Sequence, residues 1–283
     1  MLAAGLALVG CEEKPPAGIK FAPYQAGYAT KPDFARVEHE FPLAAADLAR
    51  LTPDALKSYD QEQIDQIYAR LTAGPIPDGA YEGDLFFPKG ISGKKRLREI
   101  VGGLGGLVVG LGTVKLELVG EHLWRGKVFY RDERVLRNRI EDTKLLAPLI
   151  DGDLSTLQKV TVNGRDQWLL FPARLYCGQS LLDSRRESII IDYAFTDQLP
   201  GYRERPDYLA GRNGFQIRDE IRMVRPGFYL GRAYAGKAFL LNFVLYNEQI
   251  ANEQGPQFLK TGQVSEDCWT GTQQRAVMAS ASS

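Results

Sequence analysis

The most constraining feature of the sequence is a series of short aromatic and β-branched runs that are separated by turn signals. Asn163-Gly164, Asn213-Gly214 and Pro226-Gly227 stand between successive runs, as turns stand between strands. Several strands at short spacing predict a mostly antiparallel sheet that is closed or nearly closed. The predicted strands cover residues 81–87, 123–130, 134–140, 158–162, 167–176, 188–195, 215–224, 227–234 and 238–246.

The chain before this region has a different character. Residues 11–40 are predicted to form a tether and an extended arm, because prolines interrupt any helix there. Residues 41–75 are predicted to be a helical segment. Within it, Thr52 is suited to cap a helix that begins with Pro53. Residues 60–71 then space their apolar side chains on one helix face.

The sequence therefore predicts an α+β fold, in which a mostly antiparallel β barrel or sandwich carries an N-terminal helical arm. The β-rich domain covers residues 76–262, with room for a helix at 142–157, and a polar tail follows at 263–283. The strand around Trp124-Arg125-Gly126-Lys127, followed by further hairpins, resembles lipocalin-like barrels in architecture, and Trp124 could plug a barrel end. No lipocalin signature matches position by position, so the resemblance assigns no binding residue.

The composition excludes several classes of function. Lysine plus arginine and aspartate plus glutamate balance at 35 each, so the basic excess of a nucleic-acid binder is missing. The two histidines, His39 and His122, are far apart in sequence, which disfavours histidine-based triads and histidine-rich zinc sites. We therefore expect no nucleic acid, no metal and no cofactor.

An apolar run at the N-terminus closes on Leu8-Val9-Gly10-Cys11. This ending resembles the lipobox of bacterial lipoproteins, which implies cleavage before Cys11, acylation of that cysteine and a domain that faces the periplasm. Residues 1–10 would then be the signal peptide, with a start placed too far downstream, because a basic n-region is missing. The alternative is a buried N-terminal helix in which Cys11 is a small hydrophobic residue.

The residues after the lipobox extend this interpretation. Residues 12–18 are polar and rich in proline, as a tether between a membrane and a domain should be. Glu12 stands where an aspartate commonly marks retention in the inner membrane, so the resemblance favours the outer membrane. The lipid anchor would be the membrane contact, because no run reaches the ~18 apolar residues of a spanning helix.

If Cys11 is acylated, Cys177 and Cys268 remain as a pair. In an oxidising periplasm two remaining cysteines often form a disulfide. The alternative is two buried free thiols.

A charged strand is the first candidate for chemistry. Arg218, Glu220 and Arg222 would share one face, while Asp219 points to the other. On the surface these residues would form a solvated salt-bridge ladder, and inside a barrel they could bind a carboxylate or phosphate. Asp192 lies in an apolar strand, where an ionised carboxylate needs a partner.

An arginine of this ladder would supply that partner. Alternatively, Asp192 could form a catalytic carboxylate pair with Glu220 or Asp219.

A glycine-rich segment is the second unusual feature. Gly102, Gly106 and Gly110 recur at every fourth position after a basic cluster that begins at Lys94. On a helix this spacing leaves a bare groove, which suits close packing against the sheet. Contact with an anionic bilayer surface is the alternative.

The sequence favours a non-enzymatic, membrane-anchored lipoprotein whose β-rich domain binds an amphiphile or an envelope protein. The alternative is a periplasmic hydrolase that uses paired carboxylates, or a serine such as Ser180 or Ser188, although Ser180 lacks the glycine of a nucleophile elbow. A scaffold in envelope assembly is a third hypothesis. The candidate ligand contacts are Asp192, Tyr193, Arg218, Glu220, Arg222 and Tyr229.

Overall fold

The structure is a computed structural model that describes residues 18–24, 32–86, 124–141, 150 and 153–271. Several predicted features lie outside these residues. They are the signal peptide at 1–10, Cys11, most of the tether, the glycine-rich segment, most of the helix at 142–157 and the end of the polar tail.

The described residues form nine antiparallel strands, of which eight close into a barrel. The order around the barrel is β3-β2-β1-β9-β8-β7-β6-β5, and β5 pairs back with β3 to close it. This confirms the α+β prediction and decides for the barrel over the sandwich. The strands are β1 (Gly79–Phe86), β2 (Trp124–Tyr130), β3 (Val135–Ile140), β4 (Lys159–Val162), β5 (Arg165–Gln179), β6 (Glu187–Asp192), β7 (Ile217–Arg225), β8 (Phe228–Ala235) and β9 (Ala238–Tyr246).

Strand β5 makes the closure possible because it is 15 residues long. Its first half pairs with β3 and with the short strand β4, and its second half pairs with β6. Arg174 stands where the two halves meet, opposite Val135 on one side and Asp192 on the other. A single long strand therefore joins both edges of the sheet, which leaves no unpaired edge in the barrel wall.

The lower half of the barrel interior is a packed aromatic core. The Tyr81 ring makes edge contacts with Phe129 and Tyr229 at centroid distances of 5.5 and 5.8 Å. The Tyr229 hydroxyl donates to the carbonyl of Pro75 at 2.6 Å, so the phenol has a partner despite its burial. Ala73, Ile76 and Cys268 are buried in the same cluster at this end of the barrel, which we call the base.

The N-terminal segment supplies most of the helices. They are α1 (Phe34–Glu40), α2 (Ala45–Arg50), α3 (Pro53–Lys57) and α4 (Gln61–Arg70), followed later by α5 (Glu204–Asp207) and α6 (Glu248–Thr261). Thr52 caps α3 by accepting a hydrogen bond from the Ala55 amide, with Pro53 at the first position, as the sequence predicts. Helix α1 lies inside the segment that we expected to be extended, because Asp33 accepts from the Ala35 amide and caps it.

Helix α4 is the element that covers the outside of the barrel. Asp60 and Gln63 form a capping box at its start. Its apolar face packs on the outer face of β7, β8 and β9, where Ile64, Ile67 and Tyr68 are fully buried. This part of the barrel wall is therefore apolar or buried on both faces.

Candidate functional site

The charged ladder of β7 lies on the outer face of the barrel, beneath α4 and the turn after β5. Arg218, Glu220 and Arg222 share that face, as the alternation predicts. Glu220 and Arg222 are nevertheless 0% exposed. The ladder is thus neither a solvated surface feature nor a polar patch of the barrel interior, which corrects both expectations for it.

Arg222 uses its guanidinium to hold chain segments together. It donates to the carbonyls of Tyr68, Asp183 and Arg186 at 3.2, 3.0 and 3.0 Å. It also donates to the Ser188 hydroxyl at 2.9 Å and to the Asp183 carboxylate at 3.5 Å. These bonds occupy the five N–H groups of the side chain, so Arg222 has no donor left for a ligand.

The carboxylates that we considered as catalytic pairs lie on different faces of the wall, or are each held by their own structural hydrogen bonds. Asp219 points into the barrel, and Asp192 and Glu220 point outward. Glu220 accepts from Arg218 and from the Leu181 amide. Asp192 accepts from the Tyr176 hydroxyl and the Ala194 amide, both at 2.8 Å, instead of pairing with an arginine of the ladder.

The serines of the hydrolase hypothesis also have structural roles. Ser188 is 0% exposed and receives hydrogen bonds from Arg222 and from the Tyr68 hydroxyl. Ser180 accepts from the amides of Leu182 and Asp183 and so shapes a turn.

The two remaining candidates are inside the barrel but at different levels. Tyr229 belongs to the aromatic core near the base. Tyr193 lies just beyond β6, in a group of buried polar residues higher in the barrel. The six predicted ligand contacts therefore do not form one site, and only Tyr193 belongs to the site that the structure reveals.

That site is a group of four residues that we call the inner polar cluster: Lys127, Asn138, Tyr193 and Asp219. The Lys127 ammonium donates to the Tyr193 hydroxyl at 2.7 Å, to Asn138 Oδ1 at 2.9 Å and to Asp219 Oδ2 at 3.1 Å. Asn138 Nδ2 donates to Tyr193 at 3.0 Å, and Tyr193 lies 3.3 Å from Asp219. The three N–H groups of Lys127 thus meet three acceptors inside a barrel.

Local backbone geometry aims Lys127 inward. A register shift between Trp124 and Gly126 interrupts the pairing of β2 with β3. Gly126 has a φ of 125°, and a Cβ on it would overlap the Tyr81 carbonyl oxygen, so only glycine fits there. The next residue, Lys127, then shares the inward face with Phe129.

Burial changes the proton affinities of the cluster. Removal from water lowers the pKa of Lys127 and outweighs the opposing attraction of Asp219. Burial likewise raises the pKa of Asp219, in spite of Lys127 beside it. Burial and the nearby Asp219 raise the pKa of Tyr193 well above its ordinary value, so this phenol stays protonated.

Aromatic rings surround the ammonium of Lys127. The ring centroids of Trp124, Tyr193 and Phe243 lie 5.4, 5.4 and 5.5 Å from Nζ, within the range of cation–π contacts. The Trp124 indole also donates to Asn138 Oδ1 at 2.9 Å. A Cβ at Gly83 would overlap the Trp124 ring, so this glycine makes room for the indole.

The end of the barrel above the cluster differs from the base. Five of its inward-pointing apolar residues are half-buried, and we call these five the rim. The register places Leu85 opposite Phe243, while Leu241 and Ile217 lie two residues beyond Phe243 and Asp219 in their strands. The rim consists of Leu85, Trp124, Phe171, Ile217 and Leu241.

Cys177 and Cys268 form a disulfide, with 5.4 Å between their Cα atoms, which confirms the pairing that the sequence left open. Their sulfurs and the Glu187 carboxylate are within 4.8 Å of one another. Sulfurs joined in a disulfide are not thiolates, so this group is not a metal site in the oxidised protein.

Sequence reasoning missed Lys127 and Asn138. The alternation of side chains along each strand places both residues inside the barrel. It does not tell which residues of the other strands they contact.

No protein-family model matches the sequence, and no curated protein matches it. A solved structure described as a protein from Thermomonospora curvata aligns with a TM-score of 0.32 and 18% sequence identity, over 67% of this chain and 88% of that chain. Among the helices of the described residues, none is both long and apolar enough to span a bilayer.

Proposed function

We propose that the protein is a lipid-anchored lipoprotein of the periplasmic face of the cell envelope, and that its barrel binds an amphiphilic ligand at the rim. The observation that carries this proposal is the contrast between the two barrel ends. The interior toward the base is filled by the buried rings of Tyr81, Phe129 and Tyr229, whereas the rim presents half-buried apolar side chains above a buried lysine and aspartate. An apolar site with a few convergent polar groups suits a small amphiphile.

The polar cluster supports a binding role because it is costly for stability alone. A buried ion pair loses hydration of both ions, and apolar residues of similar size often give an equal or more stable core. Titratable groups with shifted pKa values that line a concavity are, for this reason, candidates for functional sites. In this proposal the ligand's apolar part lies against the rim and its polar end approaches Lys127.

The N-terminal part of the chain supports anchoring. Only six residues separate the cysteine of the lipobox-like Leu8-Val9-Gly10-Cys11 from Gly18, a reach of roughly 25 Å when extended. The chain then docks on α4, where the Ala22 amide donates to Gln66 Oε1 at 2.9 Å. An acylated Cys11 would therefore hold the barrel close to a membrane, and the disulfide suits an oxidising compartment. Glu12 favours the outer membrane.

Binding of dodecanol to the full chain in mild detergent, followed by native mass spectrometry, tests the ligand part of the proposal. We expect one dodecanol per chain. Replacing Leu241 with glutamine should weaken binding about tenfold or more, because burial of a leucine side chain contributes about 1.5–3 kcal/mol.

Leu259→Gln is the matched control, because Leu259 is 55% exposed on α6 and lies outside the rim. Its affinity should equal that of the wild type. Absence of a dodecanol complex, or equal affinities for Leu241→Gln and the wild type, would contradict the proposal.

A further inference from the structure

We propose that Lys127 captures the aldehyde group of an apolar ligand as an imine, inside the barrel and opposite Asp219. This inference rests on the proposed binding function and specifies the chemistry of the ligand. A long-chain or polyene aldehyde would place its chain against the rim and its carbonyl carbon at Nζ of Lys127.

The geometry brings together the three groups that imine formation requires. Lys127 supplies the amine, Asp219 lies 3.1 Å from it, and the Tyr193 hydroxyl lies 2.7 Å from it. The carboxyl group can give and take protons, and the phenol can donate a hydrogen bond to the carbonyl oxygen during attack. Lys159, by contrast, is 42% exposed, and its ammonium lies 3.8 Å from the Asp166 carboxylate.

The reactive form of the lysine is the neutral amine. Transfer of one proton along the 3.1 Å hydrogen bond from the Lys127 ammonium to Asp219 gives the neutral amine and a protonated carboxyl group. Burial lowers the pKa of Lys127 and raises that of Asp219, so both shifts favour this transfer. Buried lysines serve as Schiff-base nucleophiles for this reason.

The reaction is balanced without a further reagent. The nitrogen of neutral Lys127 attacks the carbonyl carbon and forms a C–N bond, and the carbonyl oxygen takes up protons and leaves as water. Overall, the amine, the protonated Asp219 and the aldehyde yield a protonated imine, the Asp219 carboxylate and one water molecule. The product therefore carries one positive and one negative charge at the positions of the present ion pair.

The surrounding hydrogen bonds tolerate the loss of two N–H groups from Lys127. Asn138 Oδ1 keeps the hydrogen bond from the Trp124 indole at 2.9 Å. The Tyr193 oxygen keeps the one from Asn138 Nδ2 at 3.0 Å. The single N–H of the imine remains for Asp219. Capture of an aldehyde thus leaves each of these three acceptors with a donor, so no buried acceptor among them loses its hydrogen bond.

The test uses the full chain in mild detergent with dodecanal and sodium cyanoborohydride, which reduces an imine to a stable secondary amine. Intact mass spectrometry counts the adducts, and peptide mapping locates them. We expect one dodecyl adduct, at Lys127. Adducts at Lys159 should be the minority, because the apolar rim holds the aldehyde beside Lys127 and burial lowers the pKa of Lys127.

Two arginine substitutions provide the controls. Lys127→Arg must lose the adduct, while Lys159→Arg must keep it, although both lysines lie over a tryptophan ring. Because Lys127→Arg could impair folding, the site of labelling in the wild type decides the question by itself.

The outcomes separate this inference from the proposed function. Binding of dodecanol together with dodecyl adducts confined to exposed lysines would overturn the imine and leave amphiphile binding intact. Failure of both dodecanol and dodecanal to bind would overturn both. A dominant adduct at Lys127 supports both.

Discussion

Lys127 on β2 and Asp219 on β7 form an ion pair inside the barrel, although 92 positions separate them in the chain. Their side chains are 3% and 6% exposed. The two charges are therefore stabilised by each other and by the polar groups of the cluster, and not by water. The pairing exists because β1, β9 and β8 span the wall between β2 and β7 and fix the register at both ends.

Removal of one partner of this pair should destabilise the protein strongly. We expect Asp219→Ala to lower the free energy of unfolding by about 3–5 kcal/mol, because it leaves an unpaired buried ammonium. The double variant Lys127→Met with Asp219→Leu should lose much less, since no uncompensated charge remains. Urea unfolding with the disulfide intact measures both.

An exposed pair provides the comparison. Arg36 and Glu40 form a salt bridge on α1 with side chains 74% and 41% exposed. Glu40→Ala should change the free energy of unfolding by less than about 0.5 kcal/mol. A double variant at Lys127 and Asp219 that is as unstable as Asp219→Ala would contradict this account of the cluster.

The strands and the start of α3 could be predicted from the sequence because their signals are local. Asn163-Gly164 and Pro226-Gly227 mark turns between strands, and Thr52 with Pro53 marks a helix start. The disulfide could only be proposed as an alternative, because it depends on a distance across the fold.

The site depended on information that the sequence does not carry. The alternation of β7 puts Glu220 and Asp219 on opposite faces, but it does not tell which face is covered. Packing of α4 on the outer face buries Glu220 and turns the ladder into a structural element. Lys127 meets Asp219 only through the register of the intervening strands, which single-sequence patterns do not specify.

Gly83 is predicted to be essential for the position of Trp124 above the cluster. A methyl group at Gly83 would overlap the indole, so Gly83→Ala should displace the ring and lower the free energy of unfolding by about 1–3 kcal/mol. The matched control is Gly255→Ala in α6, where a Cβ meets no atom within 4 Å. There we expect a stabilisation of about 0.5–1 kcal/mol.

Thermal or urea unfolding distinguishes these two substitutions. If Gly83→Ala is as stable as the wild type, the indole is not confined by close contact with β1.

Acylation of Cys11 can be tested on protein extracted from the membranes of a bacterium that expresses it. We expect mass spectrometry to find a mature chain that begins at Cys11 and carries fatty acyl groups. Cys11→Ser should abolish acylation and release the protein from the membrane fraction. A native product that retains residues 1–10 with an unmodified thiol would refute the anchoring proposal.

The disulfide is predicted to hold the base of the barrel closed. Cys177 and Cys268 are separated by 91 positions, and near Cys268 the Asp267 carboxylate accepts from the Ile76 amide at 2.8 Å. Replacing both cysteines with alanine should lower the free energy of unfolding by about 4–5 kcal/mol in the chain-entropy model. Hydrogen exchange at Ile76 should also accelerate, and unchanged protection there would show that the base closes without the cross-link.

Asp207 is predicted to make stability depend on pH between about 4 and 6. It lies at the end of α5 and accepts from the amides of Phe171 and Arg203 at 2.7 and 2.9 Å. Burial outweighs these hydrogen bonds and raises the pKa of Asp207 to about 6. In this window the folded state binds a proton that the unfolded state, with a pKa near 3.9, does not bind, so stability falls as the pH rises.

The variant Asp207→Asn cannot ionise and should lack this contribution. It loses one hydrogen bond at every pH, which lowers its free energy of unfolding by a constant amount. The informative quantity is therefore how its free energy of unfolding, relative to the wild type, changes with pH. Relative to the wild type, its free energy of unfolding should rise by about 2 kcal/mol between pH 4 and pH 7.

Glu38→Gln gives a control of opposite sign. Burial alone would raise the pKa of Glu38, but hydrogen bonds from Arg186 and Arg185 outweigh it and lower the pKa. Glu38 therefore contributes stability above its unfolded pKa that is lost as the pH falls through its lower folded pKa, and Glu38→Gln should be weakest relative to the wild type at neutral pH. Parallel pH curves for the wild type and Asp207→Asn would mean that folding does not shift the pKa of Asp207.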